Sequence, residues 1–157
     1  MEDKRSTLVS SKVIGLRKVL VDSSVIISAL ISNSGASYYC LISAKDKGYQ
    51  LVISEFILKE LLDVIERKFP NLLLRLFEIL ILGEVLVVKN PSKKELKSFK
   101  NLIEKKDVPI LASVIKEKAE LFLTLDKEFL KQEVIDFASQ HGLTILTPKD
   151  LIKKLNF

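Results

Sequence analysis

Four carboxylates, Asp22, Glu60, Asp107 and Asp126, stand at places in the chain where carboxylates can do chemistry. Asp22 closes the apolar run Lys18-Val19-Leu20-Val21, and Asp126 follows Leu121-Phe122-Leu123-Thr124. Each run reads as a buried strand, so each acid lies at a strand's carboxyl end, the edge where open α/β sheets bind ligands. Asp107 precedes Val108-Pro109 at a helix start. A carboxylate at either kind of position can equally be a plain cap. Glu60 breaks that tie. It falls four residues after Phe56, three after Ile57 and four before Val64, which puts it on the apolar face of its helix. An unpaired buried carboxylate costs several kcal/mol and calls for a cation. Arg or Lys would serve as well as a metal, but none stands within an apolar strand as an evident partner. Several carboxylates without His or Cys form the ligand set of a hard cation, Mg²⁺ or Mn²⁺.

The rest of the composition narrows the chemistry. The one histidine, His141, excludes zinc sites of the HExxH type and reads as a helix-end residue before Gly142. The one cysteine, Cys40, can form neither an internal disulfide nor a thiolate zinc site, and its apolar neighbours make it a buried thiol. With no nucleophile set of His, Ser or Cys, water activated by metal is the expected nucleophile. A formal charge of +5 around an acidic cluster suits a polyanionic phosphodiester substrate. Asp22-Ser23-Ser24 lacks the second Asp of a DxD phosphatase motif, so small-phosphoester chemistry ranks low.

The elements that must position these acids alternate between strand and helix. Strands are expected at 18–22, 50–53, 84–89, 121–124 and 143–146. Helices are expected over 25–31, 36–47, 55–69, 71–82, 91–106, from 107, over 127–140 and from Pro148. Ser23 or Ser24 is the expected cap of the first helix and Ser54 of the third. Such alternation predicts an α/β fold, a three-layer α/β/α sandwich with a mainly parallel central sheet. One domain over 18–157 is expected, behind a leader, 1–17, that forms a flexible arm or an extra edge strand. No signal peptide is visible, and the greasiest stretch, Leu72–Val88, is broken by Arg75, Glu78, Gly83 and Glu84. A cytoplasmic chain without a membrane span is the expectation.

The ordered motifs Val21-Asp22-Ser23-Ser24-Val25, Ile53-Ser54-Glu55 with Glu60-Leu61, Lys106-Asp107-Val108-Pro109-Ile110-Leu111-Ala112 and Thr124-Leu125-Asp126 resemble the PIN-domain family. The likeness is to its compact prokaryotic members, many of them toxin-like ribonucleases of the VapC kind. It spans about residues 18–152, and Ile145–Leu151 looks like the segment that closes many such domains. The resemblance implies a Mg²⁺- or Mn²⁺-dependent endoribonuclease acting on single-stranded or looped RNA. It implies that Asp22, Glu60, Asp107 and Asp126 hold the metal, with Ser24 and Thr124 supporting them. Lys105, Lys106 and Lys127, beside two of the acids, are candidate phosphate contacts. An antitoxin-like protein partner is implied too. Leu125 stands where the last motif often has Gly, and a side chain there is expected to crowd the site or shift Asp126. The competing reading is a catalytically weak PIN-fold module that binds RNA or protein. Helix 71–82 is apolar nearly all round, so a homodimer face or a partner groove is expected there, against deep burial inside the monomer.

Overall fold

In the computed structural model, the described residues are 16–97 and 108–156. The leader to residue 15, Lys105, Lys106 and Asp107 lie outside them.

Five parallel strands form one sheet in the order β3-β2-β1-β4-β5. They are β1 (Arg17–Val21), β2 (Tyr49–Ser54), β3 (Leu86–Val88), β4 (Leu121–Leu123) and β5 (Thr144–Leu146). The helices are α1 (Ser23–Ile31), α2 (Ala36–Ser43), α3 (Glu55–Lys68), α4 (Leu73–Leu82), α5 (Lys93–Leu96), α6 (Val108–Lys116), α7 (Gln132–Gln140) and α8 (Pro148–Leu155). They cover both sides of the sheet, as the alternating pattern predicted. β2 is buried along its whole length, as are Val19–Val21 and all of β4. Central strands covered on both faces read as unbroken apolar runs, which is why they were visible in the sequence.

The strand order reverses beside β1. From β1 the chain steps outward to β2 and β3, then crosses to β4 on β1's other flank. Register pairs Val21 with Leu123, so the carboxyl ends of β1 and β4 lie side by side at that switch point. Asp22 and Thr124 are the next residues on the two strands. The fold thus opens its natural crevice where two of the sequence motifs end.

Three local expectations change. The cap of α1 is Asp22 itself, whose side chain accepts from the Ser23 N–H, not Ser23 or Ser24. The helix expected from Lys127 begins only at Gln132, because Asp126 diverts the backbone into a turn: its Oδ1 accepts from the Glu128 N–H and its carbonyl from the Phe129 N–H. The helix expected over 36–47 ends at Ser43, and a 3₁₀ turn, Lys45–Lys47, leads to Gly48 at φ +85°. The helix expected over 91–106 is described as Lys93–Leu96, and its expected continuation over 98–106 lies outside the described residues. Other bounds shift by a residue or two.

Among the described residues no single helix is long and apolar enough to cross a membrane. Cys40 is buried, with its thiol pushed up to about 12 by that burial. His141 closes α7 as an exposed helix-end residue, its Nδ1 at 3.0 Å from the Phe137 carbonyl.

Candidate active site

Asp22 sits at the centre of the switch-point crevice and is 3% exposed. Its Oδ1 accepts from the Ser23 N–H at 2.9 Å. Its Oδ2 accepts from the hydroxyls of Ser24 and Thr124, both at 2.8 Å. An ionised carboxylate offers about four lone-pair sites, so roughly one remains open. Both hydroxyls are locked from behind. Ser24 Oγ accepts from the Leu125 N–H at 3.1 Å and Thr124 Oγ1 from the Asp126 N–H at 3.0 Å. Each hydroxyl has one proton, and with backbone donors on its lone pairs that proton points at Asp22.

The same small residues tie the other acids to Asp22. Thr124, fully buried, bridges Asp22 and the Asp126 backbone. Ser23 binds Asp22 through its N–H and Glu60 Oε2 through its hydroxyl, at 3.0 Å. Glu60 is half-buried rather than centred on the apolar face. The buried stripe of α3 is Ile57, Leu61 and Ile65, and Glu60 lies about 100° from its middle, on a flank with Phe56 and Val64. That flank is what lets the carboxylate reach Ser23 at the crevice instead of facing the core. A cleft of about 360 Å³ opens beside it, lined also by Lys59, Asp63 and Arg67. Behind Asp126, the turn is pinned by fully buried Phe129, whose ring meets Phe122 of β4 edge-on at 5.0 Å.

Burial pushes the Asp22 carboxyl above the ordinary carboxylate range. The hydroxyls of Thr124 and Ser24 favour its charged form and oppose that shift, while the negative charges of Glu60 and Asp126 add to it. Among the described residues, no Lys or Arg forms an ion pair with Asp22, Glu60 or Asp126. The three acids have no basic partner among the described residues, and their all-oxygen donor set is the kind a hard cation takes. No group of three His, Cys, Asp or Glu side chains among the described residues meets metal-binding geometry as it stands. Asp107, the fourth acid expected from the sequence, lies outside those residues, directly before α6.

Ser24 and Thr124, the two residues expected to support the acids, both donate their hydroxyls to Asp22. Lys127 is exposed in the turn after Asp126. Leu125 has no positive φ, its N–H serves Ser24, and its side chain is 41% exposed over a neighbouring pocket. Ser23 was missed as more than a cap. Its signal was its place next to Asp22 in the first turn of α1, within reach of whatever α3 presents.

A family model of the PIN domain matches residues 18–128. The chain belongs to the PIN-domain family. Members of this family are generally nucleases. Its fold is similar to that of PAE2754 from Pyrobaculum aerophilum, with a TM-score of 0.60 at 13% identity over 89% of this chain and 96% of that one. It is likewise similar to a chain of VapBC2 from Rickettsia felis, a structure bound to a DNA fragment from their promoter, with a TM-score of 0.58 at 17% identity over 83% of this chain and 98% of that one. No curated protein matches the sequence significantly.

Replacing Thr124 by Val keeps its shape but removes the bridge between Asp22 and Asp126. The expected result is a roughly 10- to 100-fold loss of divalent-cation affinity, the usual cost of losing a group that orients a ligand. A cation titration of Thr124→Val against the wild type checks this, with Thr124→Ser expected to restore most of the loss.

Proposed function

We propose that this PIN domain is an endoribonuclease that hydrolyses RNA phosphodiester bonds with Mg²⁺ or Mn²⁺. The observation that carries the reading is Asp22, buried, oriented by three donors, neighboured by Glu60 and Asp126, and without a basic partner among the described residues. A divalent cation at such acids supplies Lewis acidity toward a phosphoryl oxygen and a lowered pKa for the attacking water. Asp22 offers its remaining lone pair at the centre. Glu60 and Asp126 flank it, held by Ser23 and by the turn at Phe129, and Asp107 is the proposed fourth acid. Ser24 and Thr124 keep the Asp22 carboxylate from rotating, so the site is organised before substrate arrives. Lys127, with Lys105 and Lys106, is proposed to meet phosphates of single-stranded or looped RNA. The test is cleavage of single-stranded RNA by the purified chain. Cutting that EDTA stops and added Mn²⁺ restores supports the reading; no cutting under any divalent cation favours a PIN-fold binding module instead.

A second part of the reading concerns a protein partner. Of α4, Leu76 and Ile79 are the buried residues, which supports an outward-facing surface over deep burial of the helix. Leu74 is 78% exposed and Ile81 74%, and Phe77, Leu82 and, on edge strand β3, Leu86 and Val87 are exposed as well. An apolar face of this extent marks an interaction site. It is proposed as a homodimer face or the seat of an antitoxin-like protein, which would make the chain the toxin of a toxin–antitoxin pair. Leu74→Glu with Ile81→Glu is expected to give a monomer that cleaves RNA normally. Light scattering checks the mass, and a wild type that is monomeric at micromolar concentration counts against the homodimer.

A further inference from the structure

The pocket over which Leu125 hangs is separate from the acid cluster and has the opposite character. It holds about 300 Å³ between α1, α2 and the start of α8, and Ser28, Ser37, Leu125, Thr147 and Lys149 line it. No carboxylate is among its lining residues. Two helices begin at it. Thr147 caps α8 through the Asp150 N–H, but the cap of α2 is Gly35, which makes no side-chain bond, so among the described residues the leading N–H groups of α2 have no side-chain acceptor.

Ser37 is the deciding residue. It stands in the first turn of α2, is 4% exposed, and its hydroxyl has no hydrogen-bond partner among the described residues. Ser37 lines the pocket, so that hydroxyl is a free donor there for a ligand oxygen. Lys149 is exposed at the pocket's edge and makes no ion pair among the described residues. The lining therefore presents hydroxyls and one ammonium beside the start of α2, with Leu125, Ala36 and Pro148 as its apolar wall. Donors without acceptors of negative charge select an anion, and the apolar wall suits one attached to a sugar or base.

Leu125 also fixes where that anion belongs. It lies between Thr124 and Asp126, and its N–H binds the same Ser24 Oγ that donates to Asp22. We infer that this pocket is a subsite for an RNA phosphate next to the scissile one, held by Ser37, Lys149 and the start of α2, with Leu125 against the attached nucleoside. The inference rests on the ribonuclease reading of the acid site. It gives the residue that replaces the usual glycine a place in substrate binding, and it gives the Thr147-Pro148-Lys149 segment a use beyond capping α8.

The test is fluorescence anisotropy of a short single-stranded RNA oligomer in EDTA, with wild type, Lys149→Ala, Ser37→Ala and Lys154→Ala. Lys154 is exposed on the same helix and serves as the charge-matched control. Lys149→Ala is expected to weaken binding about tenfold and to reduce the slope of log affinity against log salt by about 0.7, the loss of one phosphate contact. Ser37→Ala is expected to lose about threefold, the loss of one hydrogen bond, with its melting temperature unchanged. Lys154→Ala should bind as wild type. Unchanged binding by Lys149→Ala and Ser37→Ala, an equal loss in Lys154→Ala, or no binding by the wild type would each overturn the subsite. Binding in EDTA reads the subsite separately from catalysis: cleavage by Asp22→Asn would defeat the ribonuclease reading and leave these affinities as measured.

Discussion

Asp22→Asn is expected to lose RNA cleavage by about 10³-fold or more while keeping its fold, because it removes a charge that acts in the transition state. Asn keeps the size of the side chain but puts an NH₂ where a carboxylate oxygen stood. That group meets either the Ser23 N–H or the hydroxyls of Ser24 and Thr124, which are already committed as acceptors to Leu125 and Asp126. Some hydrogen bonding is lost. Against that, the variant no longer buries a carboxylate beside Glu60 and Asp126, which in the wild type raise its pKa. The two effects oppose one another, so the melting temperature without divalent cation should move by only a few degrees. Loss of activity with loss of fold would mean that Asp22 is chiefly the cap of α1.

Adding Mn²⁺ is expected to stabilise the wild type and not Asp22→Asn. At a cation concentration about a hundred times the dissociation constant, linkage gives about 2.7 kcal/mol. For a domain of this size that is a rise in melting temperature on the order of 5–10 °C. The pH dependence without cation follows from the direction of the Asp22 shift. Its folded pKa lies above the unfolded value, so between the two the native state holds the extra proton. Stability therefore falls as pH rises through that window, and stays lower above it. Asp22→Asn should flatten that part of the profile, and Mn²⁺ at neutral pH should offset the loss in the wild type. Thermal melts across acid to neutral pH, with and without Mn²⁺, measure both effects.

The sheet could be read from the sequence because its central strands are covered on both faces. Val19–Val21, Leu51–Ile53 and Leu121–Leu123 are unbroken apolar runs for that reason. Asp22 and Asp126 could be read as candidates because the chain puts them just past strand ends. What could not be read was anything decided across elements. Glu60 matches the apolar spacing of α3, yet only the packing of Ile57, Leu61 and Ile65 shows that it lies on a flank and turns toward Ser23. Ser23's place beside Asp22 was visible, but its bond to Glu60 exists only once α1 and α3 meet. The turn after Asp126 looked helical because local propensity favours helix there. The Asp126 side chain and the seating of Phe129 against Phe122 override it.

The exposed face of α4 was legible in composition and ambiguous in meaning. A helix apolar all round can be buried or can wait for a partner. Among the described residues Leu74 and Ile81 are left exposed, and β3 is the last strand on its side of the sheet.

The most direct test of the central claim is a Mn²⁺ titration of the wild type and of Asp22→Asn, following the free Mn²⁺ signal by electron paramagnetic resonance. Saturable binding by the wild type that weakens at least tenfold in Asp22→Asn is the predicted result. Isotherms that coincide, or a wild type that binds no Mn²⁺, would contradict it.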